Sequence, residues 1–235
     1  MVIIGASRGL GAAFSAGVAH SGDTLWLVSR SRPQLGSDDG VQRHWIEADL
    51  SLPKAGAKVA EAIGEGSVDV LIYNAGIWET NGFEDSYDFQ QVSEAETQRI
   101  IAVNLTSAIT CIQSLTPALL RAAHGKIVLV GSTSGLENVR SRELAYTASK
   151  FGLRGVARSL RENLRPHGVA VTCINPGEIA SEMPYERGAD AAIGAYDGRR
   201  IPVQDLIALV RCVISLSPAA CVTQIDVPAL TDLTA

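Results

Sequence analysis

What the chain lacks narrows the field first. Net charge is −5 and aromatic residues make up only 5% of the 235, so there is no basic excess with which to grip a phosphate backbone. Nucleic acid is not expected as a partner. Cys111, Cys173, Cys212 and Cys221 lie scattered among apolar residues, without Cys-x-x-Cys spacing or a neighbouring histidine. That pattern excludes a disulfide framework and a metal site. It predicts four buried free thiols in a reducing, cytoplasmic setting. His20, His44, His124 and His167 are equally isolated and read as surface or turn residues. No apolar run reaches the roughly 18 residues of a membrane span, and no charged leader with a cleavage site opens the chain. Neither membrane, internal repeat nor linker is expected, and residues 1–235 read as one domain.

What the chain has is glycine, 22 residues of it, and short apolar runs alternating with helical stretches. Residues 1–4 form an apolar run that breaks at Gly5-Ala6-Ser7-Arg8-Gly9-Leu10-Gly11, and 12–19 reads as helix. Strand, glycine turn, helix is the order a phosphate-binding unit needs. Glycine lets backbone N–H groups approach a pyrophosphate, and the helix N-terminus adds partial positive charge. The next run, 24–28, ends beside Arg30. An acid there would hold a ribose 2′-hydroxyl, whereas arginine suits a 2′-phosphate, so Arg8 and Arg30 point to NADP(H) over NAD(H).

Further strands are expected at 44–48, 68–73, 126–130, 169–174 and 221–227, with helices at 53–63, 93–120, 146–164 and 203–216. Asp49, after the third strand, either meets an adenine amino group or caps a helix. Asn74-Ala75-Gly76 halts the fourth. Ser93 to Glu96 resembles a capping box opening one long helix, with Asn104 inside it. In the helix from 146, Val156, Leu160 and Leu164 share a stripe, and Ala148, Gly152 and Gly155 form a smooth face for close packing. Residues 181–200 show no clear period beside a strand end and read as a lid. Alternation of this kind gives a parallel sheet covered on both faces. Every turn singled out then lies at one edge, where a cofactor crevice forms.

Within this order Ser132-Thr133-Ser134-Gly135 precedes Tyr146-Thr147-Ala148-Ser149-Lys150. A phenol and an ammonium four residues apart on a helix share a face, and the cation favours the phenolate, which suits proton transfer. A hydroxyl at the end of the preceding strand could hold a substrate oxygen beside them.

These stretches stand in the order of the classical short-chain dehydrogenase/reductase family, and the chain resembles that family over essentially its whole length. The resemblance implies a doubly wound, Rossmann-type, parallel seven-stranded sheet in three α/β/α layers, and a nicotinamide cofactor. It also implies a tetrad of Asn104, Ser132, Tyr146 and Lys150. Tyr146 would exchange the proton, Ser132 would place the oxygen, Lys150 would lower the tyrosine pKa and hold the ribose, and Asn104 would kink its helix and anchor a water. The cofactor would lie along Gly5, Ser7, Arg8, Gly9, Leu10, Gly11, Arg30, Asp49, Leu50, Asn74, Ala75 and Gly76. Beyond Tyr146 and Lys150 it would reach Pro176, Gly177, Ile179 and Ser181. Trp78, Glu137, Asn138, Glu178, Met183 and Tyr185, with Tyr196, are the expected substrate walls.

The implied activity is an NADP(H)-dependent interconversion of a ketone or aldehyde and an alcohol in a homodimer or homotetramer. The alternatives are a dinucleotide-binding sensor without turnover and an NAD-dependent alcohol dehydrogenase. Departures from the family pattern are Ile4 in place of threonine, Gly131 where serine is frequent, and Ser181 in place of threonine. Ser132 and Tyr146 are one residue further apart than is commonest, and the C-terminus lacks a glycine-rich ending.

Overall fold

A strand buried on both faces needs no polar alternation, and the central runs of this chain have none. The strands are β1 (Val2–Ile4), β2 (Thr24–Ser29), β3 (Gln42–Glu47), β4 (Val70–Tyr73), β5 (Lys126–Val130), β6 (Ala170–Pro176) and β7 (Gln224–Val227). β1, β4 and β5 are buried throughout, whereas β3 and β7 alternate in exposure. That difference is their position. The computed structural model, which describes residues 1–36 and 38–231, forms one seven-stranded sheet in the order β3-β2-β1-β4-β5-β6-β7. All neighbours are parallel. The order reverses between β1 and β4, where a doubly wound sheet opens a crevice. The chain's last four residues, and with them the end of the atypical C-terminus, lie outside the described residues.

Helices cover both faces. α1 (Gly9–Gly17) and α7 (Val203–Ser215) pack Phe14, Leu206, Ile207 and Val210 onto Ile3, Leu27, Ile72 and Val128. On the other face α2 (Ala55–Ile63), α4 (Ser107–Leu120) and α5 (Leu144–Leu164) bury Val59, Ile112, Leu115 and Leu153 against Ile4, Leu71 and Leu129. The result is three layers. Lys126, at the start of β5, is buried and its Nζ donates to the carbonyls of Val213, Ile214 and Leu216, closing the C-terminal end of α7.

Several expectations are corrected. The long helix starts with the Ser93 cap, whose hydroxyl accepts from the Glu96 N–H at 3.2 Å, but it is not one α-helix. α3 (Glu94–Ile101) passes into a π turn, Ala102–Thr106, before α4. The whole run Glu94–Leu120 is long and apolar enough to cross a membrane by length and mean hydropathy. Val103, Ile112, Leu115 and Leu119 of this run are instead packed in the core against the sheet, α2 and α5, while Ile109 and Leu120 are exposed. α1 and α5 begin at Gly9 and Leu144, earlier than their periodicity indicates. Gly152 does allow close packing, because a Cβ there would come within 2.8 Å of Leu105, but Gly155 faces open space and Ala148 is exposed. Cys111 and Cys173 are buried, whereas Cys212 on the outer side of α7 and Cys221 before β7 are exposed. Residues 181–200 contain a 3₁₀ turn, Tyr185–Arg187, and a short helix, α6 (Ala189–Tyr196).

Candidate active site

The glycine turn is fixed by contact as well as by conformation. Gly5 has φ +88°, which favours glycine, and a Cβ at Gly11 would lie 1.9 Å from the Gly5 carbonyl oxygen. Asn74 Nδ2 donates to that same oxygen at 3.0 Å, and Ala75 backs directly onto Gly5. No side chain caps the N-terminus of α1. Its first N–H groups therefore keep their capacity for an anion, and this uncapped end over a cradle too tight for side chains fits a dinucleotide pyrophosphate. Ser181 comes against Gly9, within 3.5 Å of where a side chain there would begin.

Beside this turn Arg8 and Arg30 are exposed and Ser7 is half-buried. Asp49 Oδ1 accepts from the Ser51 hydroxyl at 2.7 Å and the Ser51 N–H at 2.9 Å. Those bonds, with Arg30 and Arg99 nearby, hold its carboxyl below the ordinary value. Asp49 thus stabilises its own turn, and α2 begins later, after Lys54. Leu10 and Leu50 are core residues. Pro176 ends β6, the Gly177 N–H donates to the Val227 carbonyl, and Ile179 bridges to Ile201.

The serine, tyrosine and lysine come together at the same sheet edge. Ser132 is buried and its Oγ accepts from the Ser134 N–H at 3.1 Å, while its hydroxyl lies beside the Tyr146 phenol. Thr133 and Ser134 are buried in the turn that Ser132 caps. Lys150 Nζ donates to the Val130 carbonyl at 3.0 Å and lies 3.4 Å from where a side chain at Gly76 would begin. Asn104 sits in the π turn. Its Oδ1 accepts from the Ile77 N–H at 2.8 Å, and its Nδ2 donates to the Ile77 carbonyl at 2.7 Å and to Ser149 Oγ at 3.0 Å. The Val103 carbonyl of that turn accepts from the hydroxyls of Tyr73 and Ser107. Asn104 is therefore buried and fully partnered, which answers the cost of an amide in mid-helix.

Titration departs from the expectation for Tyr146. Burial pushes its phenol up to about 12, the neighbouring Ser132 hydroxyl works against that, and the carboxylates Glu143 and Glu79 add to the rise. Lys150 does not lower it here. Its ammonium is itself buried and pushed down to about 8, and it stands 5.4 Å from the tyrosine ring centroid. Cys173, next to this lysine, is held up to about 11 by burial and is an inert thiol.

The expected substrate residues do not form one wall. Trp78 reaches Tyr146 edge-to-face. Glu178 instead pairs with Arg200 at 2.6 Å, and Glu137 with Arg154 at 3.1 Å. Asn138 is an exposed residue at φ +71°, and Met183 is half-buried in the turn after Ala180. The Tyr185 ring packs over Gly17 beside Ile207, between α1 and α7. Tyr196 lies under the Arg200 guanidinium.

Three residues at the site carried no signal strong enough to find them. Glu79 is buried, and its Oε1 accepts from the N–H groups of Ala145 at 2.7 Å and Tyr146 at 3.2 Å, capping α5 from a distant loop. Glu143 accepts from the Phe83 N–H at 2.9 Å, and Phe83 meets the Tyr146 ring at 5.3 Å. Burial pushes the Glu143 carboxyl up, but its bonds from Phe83, Ser141 and Arg142 bring it below the ordinary value.

The frame is that of a Rossmann-type dinucleotide-binding α/β protein, with a hydroxyl, a phenol and an ammonium at the crevice. The model of the short chain dehydrogenase family matches residues 1–192, and the chain belongs to that family of oxidoreductases. It is similar to the rhamnolipid-biosynthesis 3-oxoacyl-(acyl-carrier-protein) reductase of Pseudomonas aeruginosa, at 28% identity over 86% of this chain and 81% of that one. Nodulation protein G of a Rhizobium species is 30% identical over 94% of this chain and 91% of its own length. The solved structure of a metagenomic short-chain oxidoreductase in complex with NADP superposes with a TM-score of 0.76. It has 29% identity and covers 97% of this chain and 96% of that one.

Proposed function

We propose that this chain is an NADP(H)-dependent reductase of a ketone or aldehyde, working in the cytoplasm, with Tyr146 as the proton donor. One observation carries the reading. The Tyr146 phenol stands beside Ser132, its ring centroid 5.4 Å from Lys150 Nζ, at the sheet edge that also holds Gly76 and the uncapped glycine turn. Gly5 to Gly11 would hold the pyrophosphate, Arg8 and Arg30 the 2′-phosphate, Lys150 the ribose next to the nicotinamide, and Ile179 and Ser181 its carboxamide. A related oxidoreductase structure holding NADP supports that choice of cofactor.

Bound there, a reduced nicotinamide would supply the hydride for the carbonyl carbon. Ser132 holds the carbonyl oxygen. As that oxygen gains the electron pair of the C=O π bond, Tyr146 gives it a proton and is reprotonated from solvent. A phenol pushed up to about 12 is fully protonated at neutral pH, as a donor must be. Asn104 keeps the 77–78 segment fixed against α5 through Ile77 and Ser149. Residues 181–200, tied at both ends by the Ile179–Ile201 bridge and by Arg200 between Glu178 and Glu182, act as the lid. Subunits pair through the long helices α4 and α5.

Calorimetric titration with NADPH and NADH tests the cofactor. Tight NADPH binding with weak NADH binding is expected, and preference for NADH or no binding of either would overturn the assignment. Absorbance loss of NADPH with a panel of ketones and aldehydes then tests the reaction.

A further inference from the structure

The rings around Tyr146 support an inference that rests on the reductase reading and narrows it to a substrate class. Tyr146 meets Phe83 edge-to-face with centroids 5.3 Å apart and Trp78 at 6.4 Å, and Trp78 meets Phe83 at 5.9 Å. The phenol is thus one member of a three-ring cluster. The other two rings are 55% and 57% exposed, so apolar surface lies open beside the proposed proton donor. Contiguous aromatic surface beside a polar reacting group is the usual makeup of a small-molecule pocket.

Phe83 is held there against its own backbone preference. Its φ is +69°, a conformation rare for a bulky residue. The surroundings impose it: the Phe83 N–H donates to Glu143 Oε1 at 2.9 Å, and the preceding Gly82 N–H donates to the Glu79 carbonyl at 2.8 Å. Glu143 is itself fixed by the Ser141 hydroxyl and the Arg142 N–H. The ring position is therefore built, not incidental.

Charge excludes one family of substrates. Residues 77–98 contain six carboxylates and no lysine, arginine or histidine. Across the lid Arg200 is neutralised by Glu178 and Glu182, Arg154 pairs with Glu137, and Arg142 donates to the Tyr87 carbonyl. Exposed Arg140, Arg142 and, in the lid, Arg187 remain as cations, fewer than the six carboxylates of this loop. A polyanionic carrier approaching it meets like charge.

We propose that the site takes an uncharged aryl or conjugated carbonyl compound as a free small molecule, its flat apolar part against Trp78 and Phe83 and its carbonyl oxygen at Ser132 and Tyr146. The same hydride and proton transfer as above then reduces it to the alcohol.

The test is NADPH consumption with benzaldehyde, with cyclohexanecarbaldehyde, which keeps a six-membered ring without π electrons, and with a 3-oxoacyl coenzyme A thioester as the anionic class. Wild type is expected to show the highest kcat/KM with the aryl aldehyde. Phe83→Ala should lower the aryl-to-cyclohexyl ratio about tenfold, the scale of one lost aromatic contact with its buried area. Phe83→Leu, which keeps an apolar side chain without the ring, should lower it too. A wild-type ratio near one, preference for the thioester, or a ratio untouched by both substitutions would overturn the substrate class while leaving the reductase intact. NADPH binding without reduction of any of the three, or of any carbonyl in a wider panel, would instead overturn the reductase reading beneath it.

Discussion

At Tyr146 one oxygen separates the proposed proton donor from an inert ring. Tyr146→Phe keeps the edge-to-face contacts with Phe83 and Trp78 and removes only the hydroxyl beside Ser132. Turnover should fall by about 10²–10⁴-fold with NADPH affinity little changed. Steady-state rates with a parallel calorimetric titration read both, and retained turnover would remove the tyrosine from its proposed role. Lys150 gives a prediction with a sign in pH. Its folded value of about 8 lies below the ordinary value, so the folded chain binds fewer protons than the unfolded one above that pH. Stability therefore rises with pH from about 8 to about 10.4, and below about 8 the full cost of the buried ammonium is present. Tyr146 acts oppositely: held up to about 12, it makes stability fall as pH rises from about 10 to about 12. Lys150→Met should accordingly raise the Tm of the cofactor-free protein at pH 7, with the gain shrinking towards pH 10. Thermal unfolding across that range checks it, and an unchanged or lower Tm at pH 7 would count against the burial argument.

The N-terminus of α5 is an element whose cap comes from elsewhere in the chain. Glu79 Oε1 takes the N–H groups of Ala145 and Tyr146, so this carboxylate fixes both the first turn of the helix and the backbone that carries the phenol. Glu79→Ala should cost about 1–2 kcal/mol of stability and lower kcat more than it raises KM. Glu79→Gln, which keeps an acceptor, should restore most of both. Thermal unfolding and steady-state kinetics on the two variants decide between a positioning residue and a plain cap, since a plain cap would leave kcat alone.

This residue also marks where sequence reading stops. Central strands were legible because a segment buried on both faces is a continuous apolar run, and β5 was read to the residue at 126–130. The glycine turn, Asn74 to Gly76, Ser132, Tyr146 and Lys150 were legible because motif order placed them at one sheet edge. Glu79 was not, because a carboxylate in a polar loop reads as solvated until the loop is known to fold onto a helix end. Nor was the π turn, because the apolar period runs through it and only the tertiary partners of Asn104 and Val103 select it. Gly131, noted only as a departure from the family pattern, has a cause in the β5–β6 pairing. A Cβ there would stand 2.0 Å from Asn175 Oδ1, and Asn175 is committed to Asp226 at 2.7 Å.

For the molecule as a whole, the proposed cofactor and substrate contacts come from both halves of the sheet. The glycine turn follows β1, Arg30 follows β2, Gly76 follows β4, Ser132 follows β5 and Gly177 follows β6, so a bound dinucleotide would span the point where strand order reverses. A ligand that bridges both halves and binds only the folded chain raises its stability by mass action. At a hundred times its Kd the gain is about 2.7 kcal/mol, which for a chain of this length corresponds to a Tm rise of about 5–10 °C. NADPH should give that rise in a thermal-shift titration, and NADH at the same concentration a markedly smaller one. Arg30→Asp should abolish the difference by weakening NADPH far more than NADH, because it exchanges a bidentate donor for a charge that repels the 2′-phosphate. Equal shifts with both cofactors in the unaltered protein, or equal losses in the variant, would take the 2′-phosphate away from Arg30.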